Sequence, residues 1–348
     1  MRTRLEAAQL GSGRSSAGGR GVSGRAELSR MAGSTSVGSI STVSISAVVC
    51  THNRAEYLAK ALVSLSGQSL PAEQYEVLVI DNSSTDKTPA VAEAYLGRSN
   101  WRYIHEPVLG LSRARNTGWR AAQGQYVAYL DDDAVASEGW LAGIEQAFEM
   151  FGPAVACIGG RCLPIWEAER PRWLADQMLS VFSIYHYADA PLILNDRQWL
   201  SGCNIAYRRE ALERVDGFPE SLGRQGMKLL AQEEIFVRQC LEGLGLASAY
   251  QPGAVVGHHL PARRLTKQWF RQHAYWQGRS SAALAARQGD GDSLSKRAGR
   301  SLVGVAWALP RLALMLASPR ADARFRREYQ VIERAGFIAG LWDRGLPG

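Results

Sequence analysis

The 348-residue sequence predicts an α/β fold in which a mostly parallel central sheet is flanked by helices, with a helical extension at the C-terminus. Three observations predict it. Strand-length apolar runs alternate with stretches at helical spacing between residues 44 and 148. Several of those strand-like runs end in polar residues. Nearly half of the chain, 46%, is hydrophobic, enough to bury a sizeable core.

In order, residues 44–50 read as a strand centred on Val48 and Val49, and residues 54–65 as a helix with Tyr57, Leu58, Ala61, Leu62 and Leu65 at helical spacing. Residues 76–80 make a buried strand ending in Asp81. Thr88 and Pro89 then open a helix as cap and first-turn proline. Residues 101–104 are a short strand, and Ser112 caps a helix that Gly124 ends. Residues 126–130 form a strand closed by Asp131, Asp132 and Asp133, and Ser137 caps the next helix. Beyond it the pattern is less regular. Residues 155–158 are strand-like before a turn at Gly159 and Gly160, residues 204–207 are strand-like, and residues 233–244 form an amphipathic helix.

The ends of the chain differ from its middle. Residues 1–42 are rich in Gly, Ser, Ala and Arg and have too few large apolar residues to fold, so they read as a disordered tail, and Met31 is an alternative start. Residues 43–265 read as the main folded domain and residues 266–348 as a helical C-terminal region. Within that region, residues 301–317 are apolar but broken by Pro310 and Arg311, with arginines on both sides. That pattern fits an interfacial helix on an anionic membrane or a core or dimer helix, and it is too short for a span.

Net charge is +7, which suits phosphorylated partners or an anionic membrane; no nucleic-acid-binding module is present. The five cysteines are odd in number and fit neither a disulfide framework nor a zinc knuckle, so they read as buried thiols in a reducing cytoplasm.

In a parallel sheet, ligands bind beyond the carboxyl ends of the strands. The residues there are Thr51, His52, Asn53 and Arg54; Asp81, Asn82 and Ser83; and Asp131, Asp132 and Asp133. Three adjacent carboxylates repel one another unless solvated or neutralised. After an apolar strand they point to a hard cation such as Mg2+ or Mn2+, with coordination positions left for phosphates. A glycine-rich dinucleotide loop and a Walker lysine pattern are both missing.

The segments 50–54 (CTHNR), 80–86 (IDNSSTD), 110–118 (GLSRARNTG), 130–133 (LDDD), 202–212 (GCNIAYRREAL) and 216–218 (DGF) resemble, in order, the motifs of family two glycosyltransferases. The resemblance spans residues 43–260. It implies the glycosyltransferase A fold, a nucleotide-diphosphate sugar donor with UDP-sugars favoured, a divalent cation and inversion at the anomeric carbon. It also implies site roles. Thr51, Asn53 and Arg54 line the nucleotide pocket, Asp81 bonds the base, and Arg115 and Asn116 contact the nucleotide. Asp131 or Asp132 faces the ribose, and Asp133, with Asp131 as a further candidate, ligates the metal.

Glu233 and Glu234 stand where the family carries its late acidic pair, so Glu234 is the expected base and Glu233 the alternative. Acidic residues at a helix start are also favoured by the helix dipole. His258 or His259 is a further candidate metal ligand, with a structural role as the alternative, and Arg263 and Arg264 could hold diphosphate. The implied activity is sugar transfer to a glycan or lipid-linked acceptor in surface polysaccharide or glycolipid assembly, at the inner face of the plasma membrane. Two other readings remain open: a nucleotidyltransferase, and a catalytically degenerate membrane partner. The nucleotidyltransferase would carry a glycine-rich, lysine-containing stretch at its first strand, which residues 51–57 lack.

Overall fold

The computed structural model describes residues 43–224, 226, 229–287, 299, 302–303 and 321–342. The expected tail, residues 1–42, lies outside them, as does the apolar stretch 301–317 except for Leu302 and Val303.

Nine strands form one sheet in the order β3-β2-β1-β4-β8-β6-β9-β5, with β7 paired on β9. The first four are β1 (Ile45–Thr51), β2 (Tyr75–Asp81), β3 (Trp101–His105) and β4 (Tyr126–Leu130). They are all parallel, in the register Ile45↔Tyr75 and Ile45↔Tyr126. The expected parallel sheet is therefore this half. The other half is mixed: β8 (Asn204–Arg208) runs antiparallel to β4 and β6 (Val155–Trp166), while β9 (Ala247–Leu260) runs parallel to β6. Short β5 (Ala134–Ala136) and β7 (Leu192–Ile193) pair antiparallel with β9.

The central strands read as continuous apolar runs because helices cover both of their faces. Alternation along β1 divides the core in two. Ile45, Ala47 and Val49 pack with α1 (Ala55–Ser66) and α4 (Trp140–Phe151), through Leu58, Leu62, Trp140 and Phe148. Val48 faces the opposite layer with α3 (Leu111–Ala121), α5 (Arg209–Arg214) and α6 (Glu233–Gly243), through Ala114, Leu212 and Val237. A side chain at Gly118 on α3 would collide with Val48, so the glycine sets how closely α3 approaches β1. Short α2 (Thr88–Glu93) completes the block.

Several local expectations need correction. Gly159 and Gly160 do not form a turn. They lie inside β6, where a Cβ would strike Leu200 at one and the Ala254 carbonyl at the other, so close approach explains them. Ser112 is not a cap: Gly110 precedes α3, and the Ser112 hydroxyl is buried beside Gly223 without a partner. Ser137 lies before α4 and accepts through its backbone carbonyl from the Trp140 N–H at 3.0 Å.

The C-terminal extension contributes α7 (Lys267–Arg287) and α8 (Ala321–Trp342), packed on each other. Gly278 meets the backbone of Glu333 and Gly336 that of Tyr275, so neither position has room for a Cβ. Among the described residues no helix is long and apolar enough to cross a membrane.

Candidate active site

Parallel register brings the carboxyl ends of β1, β2 and β4 to one edge, where a cavity of about 840 Å³ opens. Thr51, Arg54, Asp131, Asp132 and Asp133 line it from the parallel half. Arg115 of α3, Glu233 and Glu234 of α6, His258 of β9 and Arg264 line it from elsewhere.

The acidic run is held by a cationic frame. The Thr51 hydroxyl donates to Asp132 Oδ2 at 2.9 Å, and Arg54 Nη1 donates to Asp132 Oδ1 and Asp133 Oδ2, each at 2.8 Å. Arg264 Nη2 adds a bond to Asp133 Oδ2 at 3.0 Å, and His258 Nε2 lies 3.3 Å from Asp133 Oδ1. Burial pushes the Asp132 carboxyl up to about 6, against the pull of Arg54. Burial acts on Asp133 in the same direction, but His258, Arg264 and Arg54 together hold it well below the carboxylate range. Asp133 thus stays ionised. Burial alone would lower His258; Asp133 outweighs it and lifts the ring to about 9.

The strand period separates the two histidines. His258 turns into the cavity, its Nδ1 2.8 Å from the Phe182 carbonyl oxygen. His259 turns the other way, its Nδ1 2.8 Å from Glu167 Oε1, while Tyr57 donates to Glu167 Oε2 at 3.0 Å. Asp133 and His258 fit a hard cation as a two-residue donor pair only once His258 Nε2 gives up the proton it directs at Asp133, and Asp131 presents a partly exposed carboxylate alongside. Such cations commonly draw their remaining ligands from phosphate and water. Among the described residues no group of three or more His, Cys, Asp or Glu converges as a closed metal cage.

Arg115 connects the acidic run to α6. Its Nη2 lies 3.6 Å from Asp131 Oδ1, and its Nη1 donates to Glu233 Oε1. Gly202 makes room for it, since a Cβ there would collide with the guanidinium. Glu233 Oε2 and Glu234 Oε2 are both buried without a hydrogen-bond partner. Burial and the neighbouring Glu234 push the Glu233 carboxyl up to about 8, against the pull of Arg115. The helix start is pinned from α7: Ser280 Oγ accepts from the Ala231 N–H at 3.0 Å, and Gln232 Nε2 donates to Ser281 Oγ at 2.9 Å.

Three expected nucleotide residues do not line the cavity. Asn53 sits at φ +52 and accepts from the Thr85 N–H at 2.7 Å and the Asp86 N–H at 3.2 Å, so it organises the 83–86 loop. Asp81 accepts from the Ser84 N–H at 3.0 Å and from the Tyr103 hydroxyl at 2.7 Å. Asn116 exchanges two 2.8 Å bonds with the Phe218 backbone, fixing the turn after α5. Asn82, next to Asp81, does line the cavity; its amide bonds Gly110 N–H at 2.7 Å and the Val108 carbonyl at 2.7 Å. Sequence reasoning took Gly202 only as part of a motif and missed its contact with Arg115 and the serines of α7, because the partners that give them meaning lie far along the chain.

The family model described as Glycosyl transferase family 2 matches residues 46–216. The succinoglycan biosynthesis protein ExoM of Rhizobium meliloti is 26% identical over 304 residues, covering 84% of this chain and 91% of that protein. A glucosyl-dolichyl phosphate glucuronosyltransferase of Haloferax volcanii is 26% identical over 242 residues, covering 68% and 76%. Among solved structures, a mannosyltransferase of Pyrobaculum calidifontis in complex with GDP-Man and Mn2+ superposes with a TM-score of 0.57 at 21% identity, covering 86% of this chain and 87% of the other. TarS 1–349 of S. aureus in complex with UDP-GlcNAc gives 0.50 at 18% identity, covering 86% and 90%. These likenesses place the fold among the glycosyltransferase A structures.

Proposed function

We propose that this chain, matched over residues 46–216 by the family model described as Glycosyl transferase family 2, acts as a family 2 glycosyltransferase that carries out metal-dependent, inverting transfer of a sugar from a nucleotide-diphosphate sugar to a glycan or lipid-linked acceptor. The observation that carries this reading is one cavity with two kinds of carboxylate. Asp132 and Asp133 are ionically paired, while Glu233 and Glu234 each keep a buried oxygen without a partner.

In this reading Thr51, Arg54 and Arg115 form the nucleotide end, with Asp131 or Asp132 toward the ribose. Asn53, Asp81 and Asn116 act by shaping the loops around that end. Asp133 and His258 would hold Mg2+ or Mn2+, which supplies charge neutralisation for the leaving diphosphate. The Mn2+ of the Pyrobaculum mannosyltransferase structure supports a cation in this fold. Arg264 bonds Asp133 and stands ready to take a phosphate oxygen.

An acceptor hydroxyl attacks the anomeric carbon, the bond from that carbon to the diphosphate oxygen breaks, and Glu234 takes the hydroxyl proton. A single displacement inverts the anomeric centre. Glu233, engaged by Arg115, fixes the start of α6. Polysaccharide or glycolipid assembly is the setting that the ExoM likeness supports. UDP-sugars are the favoured donors from the motif resemblance.

The test is release of nucleoside diphosphate from a panel of UDP- and GDP-sugars with Mn2+. Release from at least one donor, abolished by chelator, is expected. No release from any of them overturns the reading.

A further inference from the structure

The far side of the cavity is built by residues outside the family match. Trp269, His273 and Gln277 lie on one face of α7, and Tyr329 and Glu333 lie one turn apart on α8; all five line the cavity. The backbone contacts at Gly278 and Gly336 bring these two rows side by side.

This wall differs in character from the nucleotide end. Trp269 stacks on His273 at 5.1 Å and on Phe182 at 5.3 Å, and the Tyr329 hydroxyl lies 2.9 Å from His273 Nδ1. Burial, then Arg224 and Arg264, drive His273 down to about 4, so its ring is neutral at physiological pH. Burial likewise raises the Glu333 carboxyl. Among the described residues, no side-chain hydrogen bond engages Gln277 or Glu333, and Arg334 acts on Glu333 through its charge. The wall therefore offers aromatic surface, an imidazole held neutral and two unused polar groups. At about 840 Å³ the cavity lies toward the upper end of ordinary ligand pockets, roughly 300–1,000 Å³, so it has room beyond a donor.

We propose that the α7–α8 wall is the acceptor-selecting subsite and that it takes an uncharged sugar ring, with Trp269 against the ring's apolar face and Gln277 and Glu333 bonding its hydroxyls. This rests on the glycosyl-transfer reading. Amphipathic rings with an apolar face and a hydroxylated rim suit aromatic surface beside polar groups. An acceptor recognised through a phosphate would instead seek cations, and the one unpaired guanidinium at this side among the described residues is Arg224.

The test uses the full chain and ligand-observed saturation-transfer NMR with methyl glucosides, galactosides and mannosides, and with the corresponding sugar 1-phosphates. At least one uncharged methyl glycoside should receive saturation. Gln277→Ala and Glu333→Gln should each weaken its binding about tenfold or more, while UDP and GDP binding with Mn2+ changes far less. Absence of saturation on every methyl glycoside, or saturation on the sugar phosphates alone, overturns the proposal. So does equal weakening of glycoside and nucleotide. Trp269→Phe, which keeps a ring, guards against a folding artefact: it should retain more glycoside binding than Trp269→Ala, and equal loss in both folded variants also overturns the proposal. Donor hydrolysis is read separately, so its absence counts against transfer itself and leaves the glycoside result distinct.

Discussion

The two acidic clusters of the cavity are treated in opposite ways by the fold. At the ends of the parallel strands, Asp132 and Asp133 are tied to Thr51, Arg54, Arg264 and His258. At the start of α6, Glu233 has Arg115 on one oxygen, and the other oxygen, like Glu234 Oε2, is buried and unbonded. A carboxylate that must hold a ligand in place gains from being locked by partners. One that must accept a proton needs an oxygen left available. The proposed division of labour is that paired carboxylates position and underpaired ones react.

The largest expected effect is at Asp133. Asp133→Asn preserves shape and removes the charge that faces His258, Arg54 and Arg264. Turnover should fall about a thousandfold or more, the scale of several kcal/mol of lost leaving-group stabilisation. Excess EDTA should act in the same direction on the wild type. Donor turnover at an undiminished rate in EDTA breaks the metal half of the comparison.

Next is the base. Glu234→Gln should lower turnover by about a hundredfold or more with donor affinity nearly kept, as expected when a general base is removed. Glu233→Gln should cost less turnover. Steady-state kinetics on both variants checks this. Collapse in Glu233→Gln with near-normal Glu234→Gln transfers the role to Glu233.

The histidines sharpen the first cluster. His258→Gln should raise the Mn2+ concentration for half-maximal turnover about tenfold or more, on the scale known for groups around a metal. His259→Gln should shift it less, since that ring pairs with Glu167 on the other side of β9. Equal shifts in a Mn2+ titration would remove the distinction.

The smallest effect concerns stability. Glu233 binds its proton up to about pH 8 in the folded chain, against an ordinary 4.5. As pH rises between 4.5 and about 8 the unfolded chain has released a proton that the folded chain retains, so this carboxyl makes stability fall across that window. Glu233→Gln should flatten that part of the fall in thermal midpoint between pH 5 and pH 8. An unchanged slope would mean that Arg115 neutralises the carboxyl fully.

The sequence by itself determined the parallel half of the fold. Its signals are local: apolar runs in β1, β2 and β4, each ending in polar residues, with helical spacing between. Because parallel strands share one carboxyl edge, sequence order alone placed Thr51, Arg54 and Asp131 to Asp133 together. The position of Glu233 and Glu234 at the head of α6 was legible from the amphipathic pattern that follows them.

Only the tertiary structure decided the rest, because it depends on pairs far apart in the chain. Which histidine faces the cavity follows from the pairing of β9 with β5 and β6, and neighbours on a strand point to opposite faces. Asp81 and Asn116 look like ligand residues in a one-dimensional motif; Tyr103, Ser84 and Phe218 give them hydrogen-bonding work in the fold. Gly159 and Gly160 look like a turn until the Leu200 and Ala254 contacts explain them as tight packing. The α7–α8 wall could not be read from sequence at all. Its cavity face is assembled from two helices whose contact is set by Gly278 and Gly336 against distant backbone, and hydrophobic periodicity carries no information about which helices meet.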